Sequence, residues 1–215
     1  MLTVRSGSSV SPLAILEVWY PQRSHWRESV FYAMVDEHLE CLREKHAAYD
    51  RKAVFGDNPY YRYFKKFKKT YPVMMQFESF LLKGRPFPRV NPITDIPFLA
   101  ELETHALLGV HDMDRVQGRV EFFSGTEKTP FMGMRGEEVH TYPGDLCARD
   151  EAGIILSMIA GVDYRTFVRE DSLHVFYPVF GTPGQPVEEI RALLELLSGY
   201  VDVLAPEAEK QVQLI

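Results

Sequence analysis

Asp163, Arg165 and Thr166 place a carboxylate acceptor, a forked cationic donor and a hydroxyl within four residues of one loop, Gly161-Val162-Asp163-Tyr164-Arg165-Thr166. Such a set can orient a polar ligand, an amino acid or a ribose for example. It can equally form a turn whose charges pair with each other, and the sequence leaves both open. A second polar group brackets the stretch from Asn91 to Gly118: Asn91 and Asp95 at its start, His111, Asp112, Asp114 and Arg115 near its end. Both ends of the intervening helix can serve a site while its middle serves a core; capping and ion pairing use the same residues. A third group is cationic. Arg62, Lys65, Lys66 and Lys69, with Lys68 at the flank, fall opposite an aromatic face of Tyr60, Phe64, Phe67 and Tyr71. They can contact phosphates or an acidic partner, and a solvated outer face would have the same pattern.

These groups need elements to position them. Residues 13–20 suit a buried strand between Pro12 and Pro21. Ser24 can cap a helix whose apolar face takes Phe31, Met34, Val35, His38, Cys41 and Leu42, with His38 as a core histidine. Asn58-Pro59 starts the basic helix, and Met74 to Leu82 reads as a short second one stopped by Gly84. A stiff proline-bound connector, RPFPRVNP, leads to the Asn91-Pro92 cap. The helix that follows carries Ile93, Ile96, Ala100 and Leu107 at helical spacing, and Pro97 predicts a kink or a later start. From Arg119 the period changes to two. Strands are expected at 119–123, 129–134, 145–149, 154–160 and 173–180. Pro186 opens a last helix over 186–200, and the polar tail after Pro206 is expected to fray. No composition shift or repeat divides the chain. The expectation is a single α+β domain over 1–215: helices, then a mostly antiparallel sheet, then a closing helix.

The totals narrow the function. The 215 residues, 46% hydrophobic, can build a real core. No apolar run reaches the ~18 residues of a membrane span, and the N-terminal stretch reads as a strand, not a signal peptide. Cys41 and Cys147 lack CxxC spacing and fit a reducing cytoplasm. A net charge of −6 weighs against high-affinity RNA binding in general, although the local basic surface remains. Phosphate-cradling glycine loops, G-x-S-x-G and H-E-x-x-H are absent, and no Cys/His set has zinc spacing. His105 and His111 with Asp112 and Asp114 match no metal motif. Neither a metal nor a cofactor is expected.

Placed in order, these pieces resemble the tRNA-binding and editing domain of the phenylalanyl-tRNA synthetase beta chain, and its free-standing relatives in particular. The resemblance rests on V-N-x-x-x-D at Val90, Asn91 and Asp95, and on H-D-M-D-R-V-x-G at His111 to Gly118. The Pro143-Gly144-Asp145-Leu146 turn, Asp150 and the Gly161–Thr166 loop continue it, over a core of 58–181. It implies a three-layer fold in which a β-sandwich of mostly antiparallel strands is packed by helices. It also implies binding of tRNA or aminoacyl-tRNA and hydrolysis of an ester linking the wrong amino acid to it. Editing of that kind supplies discrimination that binding alone cannot. Under this reading Asp163 and Arg165 orient the ester, while Asn91, Asp95, His111, Thr166 and Tyr177 lie near the pocket. Arg62, Lys65, Lys66 and Lys69 then hold RNA phosphates. The chain also departs from the pattern. By intervals, a pocket histidine of the synthetase falls on Gly109, a glutamate on Tyr177 and an asparagine on Phe98. The fold should therefore carry over while the synthetase's known editing apparatus does not. A non-catalytic module binding RNA or an amino acid is the alternative expectation.

Overall fold

An apolar run such as Leu13 to Trp19 must be covered on both faces and paired along its edges. The computed structural model, which describes residues 4–6 and 13–215, does this with elements from both ends of the chain. Strand β1 (Val4–Ser6) is followed by β2 (Leu13–Trp19), buried through Val18. Pro12, expected to bound that strand, lies outside the described residues.

A short 3-10 turn, Arg23–His25, precedes α1 (Glu28–Lys45). Ser24 lies inside that turn, and the helix is entered through Arg27 without a side-chain cap, so the cap expected from Ser24 is not made. The buried stripe of α1 is Phe31, Val35, Leu39 and Leu42. Cys41, expected on that face, is exposed; it stands one residue, about 100° of helix, from Leu42. His38, expected as a core histidine, is part-exposed; it is bonded to Glu103 and approaches the Tyr200 hydroxyl at 3.3 Å.

Next come α2 (Arg51–Phe55), α3 (Pro59–Lys66) and α4 (Pro72–Phe77), which runs into a π-helical turn, Glu78–Leu82. The start of α3 follows the local chemistry. The Asn58 side chain accepts the Tyr61 N–H at 2.9 Å, and Pro59 occupies the first turn, where its missing N–H costs nothing. The helix stops at Lys66, short of the expected Tyr71, and Lys68 turns the chain at φ 57°. Tyr63 therefore joins Tyr60 and Phe64 in the core, and Tyr71 is buried just ahead of α4.

Helix α5 (Pro92–Thr104) opens on Asn91, whose side chain accepts the Ile93 N–H at 3.1 Å. It keeps its start and runs on through Pro97. After it come β3 (His111–Asp112), β4 (Val120–Ser124), β5 (Pro130–Met132), β6 (Glu138–His140), β7 (Leu146–Asp150), β8 (Gly153–Ser157), β9 (Gly161–Val162) and β10 (His174–Phe180). The chain closes with α6 (Val187–Leu204) and β11 (Glu209–Leu214). One sheet has the order β1-β4-β7-β8-β9, a second β11-β2-β10-β3, and β5 and β6 form a separate ribbon. The β1–β4 pairing is parallel and the others are antiparallel. Side chains from both larger sheets and from the helices meet in one core, with α6 packed on β2 and β10.

The tail corrects an expectation. Residues Glu209 to Leu214 do not fray but pair with β2 from Trp19 to Ala14. The edge of β2 opposite β10 supplies the hydrogen bonds that the tail's own pattern does not announce.

Two polar ties fix helices to the sheets. The first answers Pro97, which has no N–H for the Ile93 carbonyl one turn earlier. The Tyr177 hydroxyl on β10 donates to that carbonyl at 3.1 Å and lies 2.7 Å from the Tyr20 hydroxyl. Replacing Tyr177 by phenylalanine is expected to cost about 2–3 kcal/mol in urea unfolding, because the Ile93 carbonyl and the buried Tyr20 hydroxyl both lose their partner. A change within about 0.3 kcal/mol would show that Pro97 needs no such partner. The second tie is Asp145, fully buried after the Pro143-Gly144 turn. Its carboxylate accepts the Tyr63 hydroxyl of α3 at 2.7 Å, the Ser157 hydroxyl and the Ile159 N–H at 3.3 Å. The Tyr63 oxygen in turn accepts the Leu146 N–H at 2.7 Å.

Candidate functional site

Two adjoining cavities of about 470 and 370 Å³ lie between α5, the end of β8 and the β5–β6 ribbon. Both are lined by Gln76, Glu101, Leu108, Gly109, Met134 and Val162. Phe64 and Phe180 wall the first, and Asp95, Phe98 and Phe167 the second. The cleft lining is thus mostly apolar with a few polar residues among it, the usual make-up of a small-ligand site.

Two carboxyl groups of α5 define its electrostatics. Glu101 is buried, and its Oε1 accepts the Leu108 N–H at 2.9 Å. Burial pushes its pKa up to about 8, so it is largely protonated at pH 7. Asp95 is also buried and accepts the Tyr32 hydroxyl at 2.8 Å. Burial raises its pKa to about 6, opposed by the Tyr32 hydrogen bond and the Arg89 charge, so it is largely ionised at pH 7. Six residues of helix separate the two, about 9 Å along the axis. Both native pKa values lie above those of free carboxyls, so each group binds protons more readily folded than unfolded. Their contribution to stability is present at low pH and is lost as pH rises through about 6 for Asp95 and about 8 for Glu101. Gln76 adds a buried Oε1 with no hydrogen-bond partner among the described residues.

Several of the residues singled out by sequence are bonded to one another outside the cavity lining. Asp163 is buried; its Oδ1 accepts the Thr166 N–H at 3.0 Å and the Thr166 hydroxyl, and its Oδ2 accepts the Arg165 N–H at 3.2 Å. The Arg165 guanidinium donates to Asp150 at 2.8 Å and to the Arg115 carbonyl at 2.5 Å. His111 Nδ1 lies 2.8 Å from the Thr166 oxygen, and its ring stacks on Phe176 at 4.8 Å. Since the Thr166 proton goes to Asp163, Nδ1 carries the histidine proton. Burial lowers the His111 pKa to about 3, which keeps the ring neutral, and Nε2 has no partner among the described residues. Asp112 accepts from Arg115 and Ser172 at 2.9 and 2.6 Å. The Asn91 amide donates to the Arg169 carbonyl at 3.1 Å.

The structure therefore brings Asp163, Arg165, Thr166 and His111 together in one hydrogen-bonded network. Neither they nor Asn91 line the two cavities, and Tyr177 sits in the core with Tyr20. Asp95 does line one. Glu101 and Gln76 were not found by sequence reasoning. Glu101 reads as an ordinary helical glutamate; the available signal was its place among Leu99, Ala100 and Leu102, which surround it with apolar positions.

Arg62, Lys65, Lys66 and Lys69 are exposed on or just after α3, the helix whose Phe64 walls the first cavity. Arg62 pairs with Asp57, while the Lys65 and Lys69 ammonium groups stand 5.5 and 5.2 Å from the Tyr61 and Tyr142 ring centroids. Among the described residues, no group of three or more His, Cys, Asp or Glu is placed to hold a metal, and no helix is long and apolar enough to cross a membrane.

Comparison with known proteins gives this geometry a family. The model of the B3/4 domain family matches residues 57–191. The phenylalanine–tRNA ligase beta subunit of Mycoplasma genitalium is 27% identical over 109 residues, which are 51% of this chain and 14% of that protein. An N-terminal fragment of the phenylalanyl-tRNA synthetase beta subunit from Pyrococcus horikoshii shares the fold, with a TM-score of 0.50 and 10% identity over 98% of this chain and 50% of that one. The chain thus spans half or less of the length of these relatives. With the family match covering more than half of its residues, the chain belongs to the B3/4 domain family and is a relative of the domain found in the phenylalanyl-tRNA synthetase beta subunit.

Proposed function

We propose that this chain binds the aminoacyl end of a mischarged tRNA in the Glu101 cleft and hydrolyses its ester. The observation that carries this reading is the pair of carboxyl groups on α5. Both line the second cavity, and their environments hold one ionised and the other protonated at neutral pH. Opposed protonation states in one site are what acid–base chemistry requires. In the proposed reaction Asp95 takes a proton from water as its oxygen bonds to the ester carbonyl carbon. The carbon–oxygen bond to the ribose then breaks, and Glu101 gives its proton to the departing ribose oxygen. Water returns a proton to Glu101 and removes one from Asp95. The partnerless Gln76 oxygen can accept from the substrate's ammonium group. Asp163, Arg165, Thr166 and His111 act as positioning residues for the loop behind the cleft, and the cations of α3 hold the acceptor-stem phosphates.

The test is the pH dependence of deacylation in excess of the buffer rate. A bell is expected, rising through about 6 and falling through about 8. Asp95→Asn should remove the rising limb and lower the rate by about 10²–10⁴. Glu101→Gln should remove the falling limb. A catalysed rate that climbs steadily to pH 9 would refute the acid role of Glu101.

A second reading, binding without turnover, is favoured by one residue. Gly109 lines both cavities where the synthetase resemblance places a histidine. A Cβ there would meet Pro178 at 3.4 Å, an ordinary van der Waals contact, so the position lacks the histidine's ionisable group without being closed to a side chain. Under that reading aminoacyl-tRNA binds and its ester decays at the buffer rate.

A further inference from the structure

The turn held by Asp163 lends one aromatic ring, Phe167, to the lining of the second cavity and carries a second, Tyr164, against it. Tyr164 is 49% exposed although it belongs to a firmly bonded loop, and Phe167 lines the cavity. Their ring centroids are 5.5 Å apart at 50°. The Arg169 guanidinium carbon stands 5.8 Å from the Tyr164 centroid and 4.9 Å from that of Phe167. The Nε of Arg169 has no hydrogen-bond partner among the described residues. Beside them Met132 and Met134 are 50% and 49% exposed, and the Tyr164 N–H is anchored on the Met132 carbonyl at 2.9 Å.

An exposed apolar group of this kind on a polar rim marks a contact surface. Its backbone is pinned from several directions. The Asp163 carboxylate fixes residues 165 and 166, Asn91 holds the Arg169 carbonyl, and Ser172, itself bonded to Asp112, accepts the Arg169 N–H at 2.9 Å. Asp163 and Asn91, which the sequence placed in the site, are thus spent on presenting Tyr164, Phe167 and Arg169.

We propose that Tyr164, Phe167 and Arg169 form a stacking platform for the terminal nucleobase of an RNA 3′ end. Aromatic faces beside an arginine suit this ligand class. Every base offers a π-face to stack on, and the guanidinium adds attraction to the adjoining phosphate. The inference rests on the function proposed above and adds to it the subsite for the terminal base, next to the cavity that takes the aminoacyl group.

The experiment measures binding of two acceptor-stem minihelices to the intact chain, one with its terminal adenosine and one abasic at that nucleotide. Wild type should bind the intact RNA roughly tenfold or more tightly than the abasic one. Tyr164→Ala, a change at a half-exposed ring, should bind both alike, at about the level wild type shows for the abasic RNA. Tyr164→Phe should keep the preference. A merely structural role for Tyr164 would weaken both RNAs equally and leave their ratio intact, which would overturn the platform. Equal binding of the two RNAs by wild type would also overturn it while leaving RNA binding standing. Binding of neither RNA would overturn the platform together with the function on which it rests.

Discussion

Asp145→Ala is expected to lower the unfolding free energy by about 3–5 kcal/mol, the largest loss of any single substitution considered. The carboxylate has no exposure and serves the Tyr63 and Ser157 hydroxyls and the Ile159 N–H at once. Alanine leaves these donors buried without an acceptor, each costing about 1–3 kcal/mol less what relaxation recovers. Burial raises the Asp145 pKa, opposed by these hydrogen bonds, so the carboxylate is stabilised by its donors against its surroundings. The loss should appear as a lower urea midpoint at an unchanged slope. Tyr63→Phe, which removes one donor but also the acceptor of the Leu146 N–H, should cost about 1–2 kcal/mol. A loss below about 1 kcal/mol for Asp145→Ala would mean that the tie between α3 and the five-stranded sheet lies elsewhere.

The double change Lys65→Glu with Lys69→Glu should weaken binding of a tRNA by on the order of a hundredfold at low salt. Both side chains are exposed, so the fold should be unaffected. The loss should shrink as salt is raised, and the slope of log affinity against log salt should fall by about 2, one unit for each phosphate contact removed. This matters because the chain carries a net charge of −6, so the proposed RNA binding requires a local positive field. Unchanged affinity at low salt would remove α3 from the interface and return its lysines to the role of a solvated face.

What could be read from the sequence was what local chemistry decides. Asn58-Pro59 and Asn91-Pro92 begin helices as expected because cap and proline act within one turn. The apolar strand at Leu13 was legible because its burial is written in its composition. Where the expectation failed, a distant partner decided. Glu209 to Leu214 is a strand because β2 offers an edge, and β6 is one because β5 pairs with it. Ser24 gives no cap because the chain forms a 3-10 turn there and enters α1 later.

The site shows the same division. Asp163, Arg165 and Thr166 were recognisable as a group, since polar residues close together in sequence invite notice; that His111 joins them was decided by the fold. Their hydrogen bonds go to one another and to Asp150 and Arg115. Glu101 escaped notice because its one mark in the sequence is its apolar neighbours, Leu99, Ala100 and Leu102. Its altered acidity comes from burial against the Leu108 turn, and its cleft from Gln76, Met134 and Val162 on other elements. A perturbed carboxyl is a product of the fold, visible only once the fold is built.

The most direct test of the account is ester loss from a panel of correctly charged and mischarged tRNAs incubated with the purified chain at pH 7. Loss well above the buffer rate is expected for at least one mischarged species, and Asp95→Asn should abolish it. Loss at the buffer rate for every species, under conditions in which the tRNAs are bound, would contradict it and leave a B3/4 domain that binds without hydrolysing.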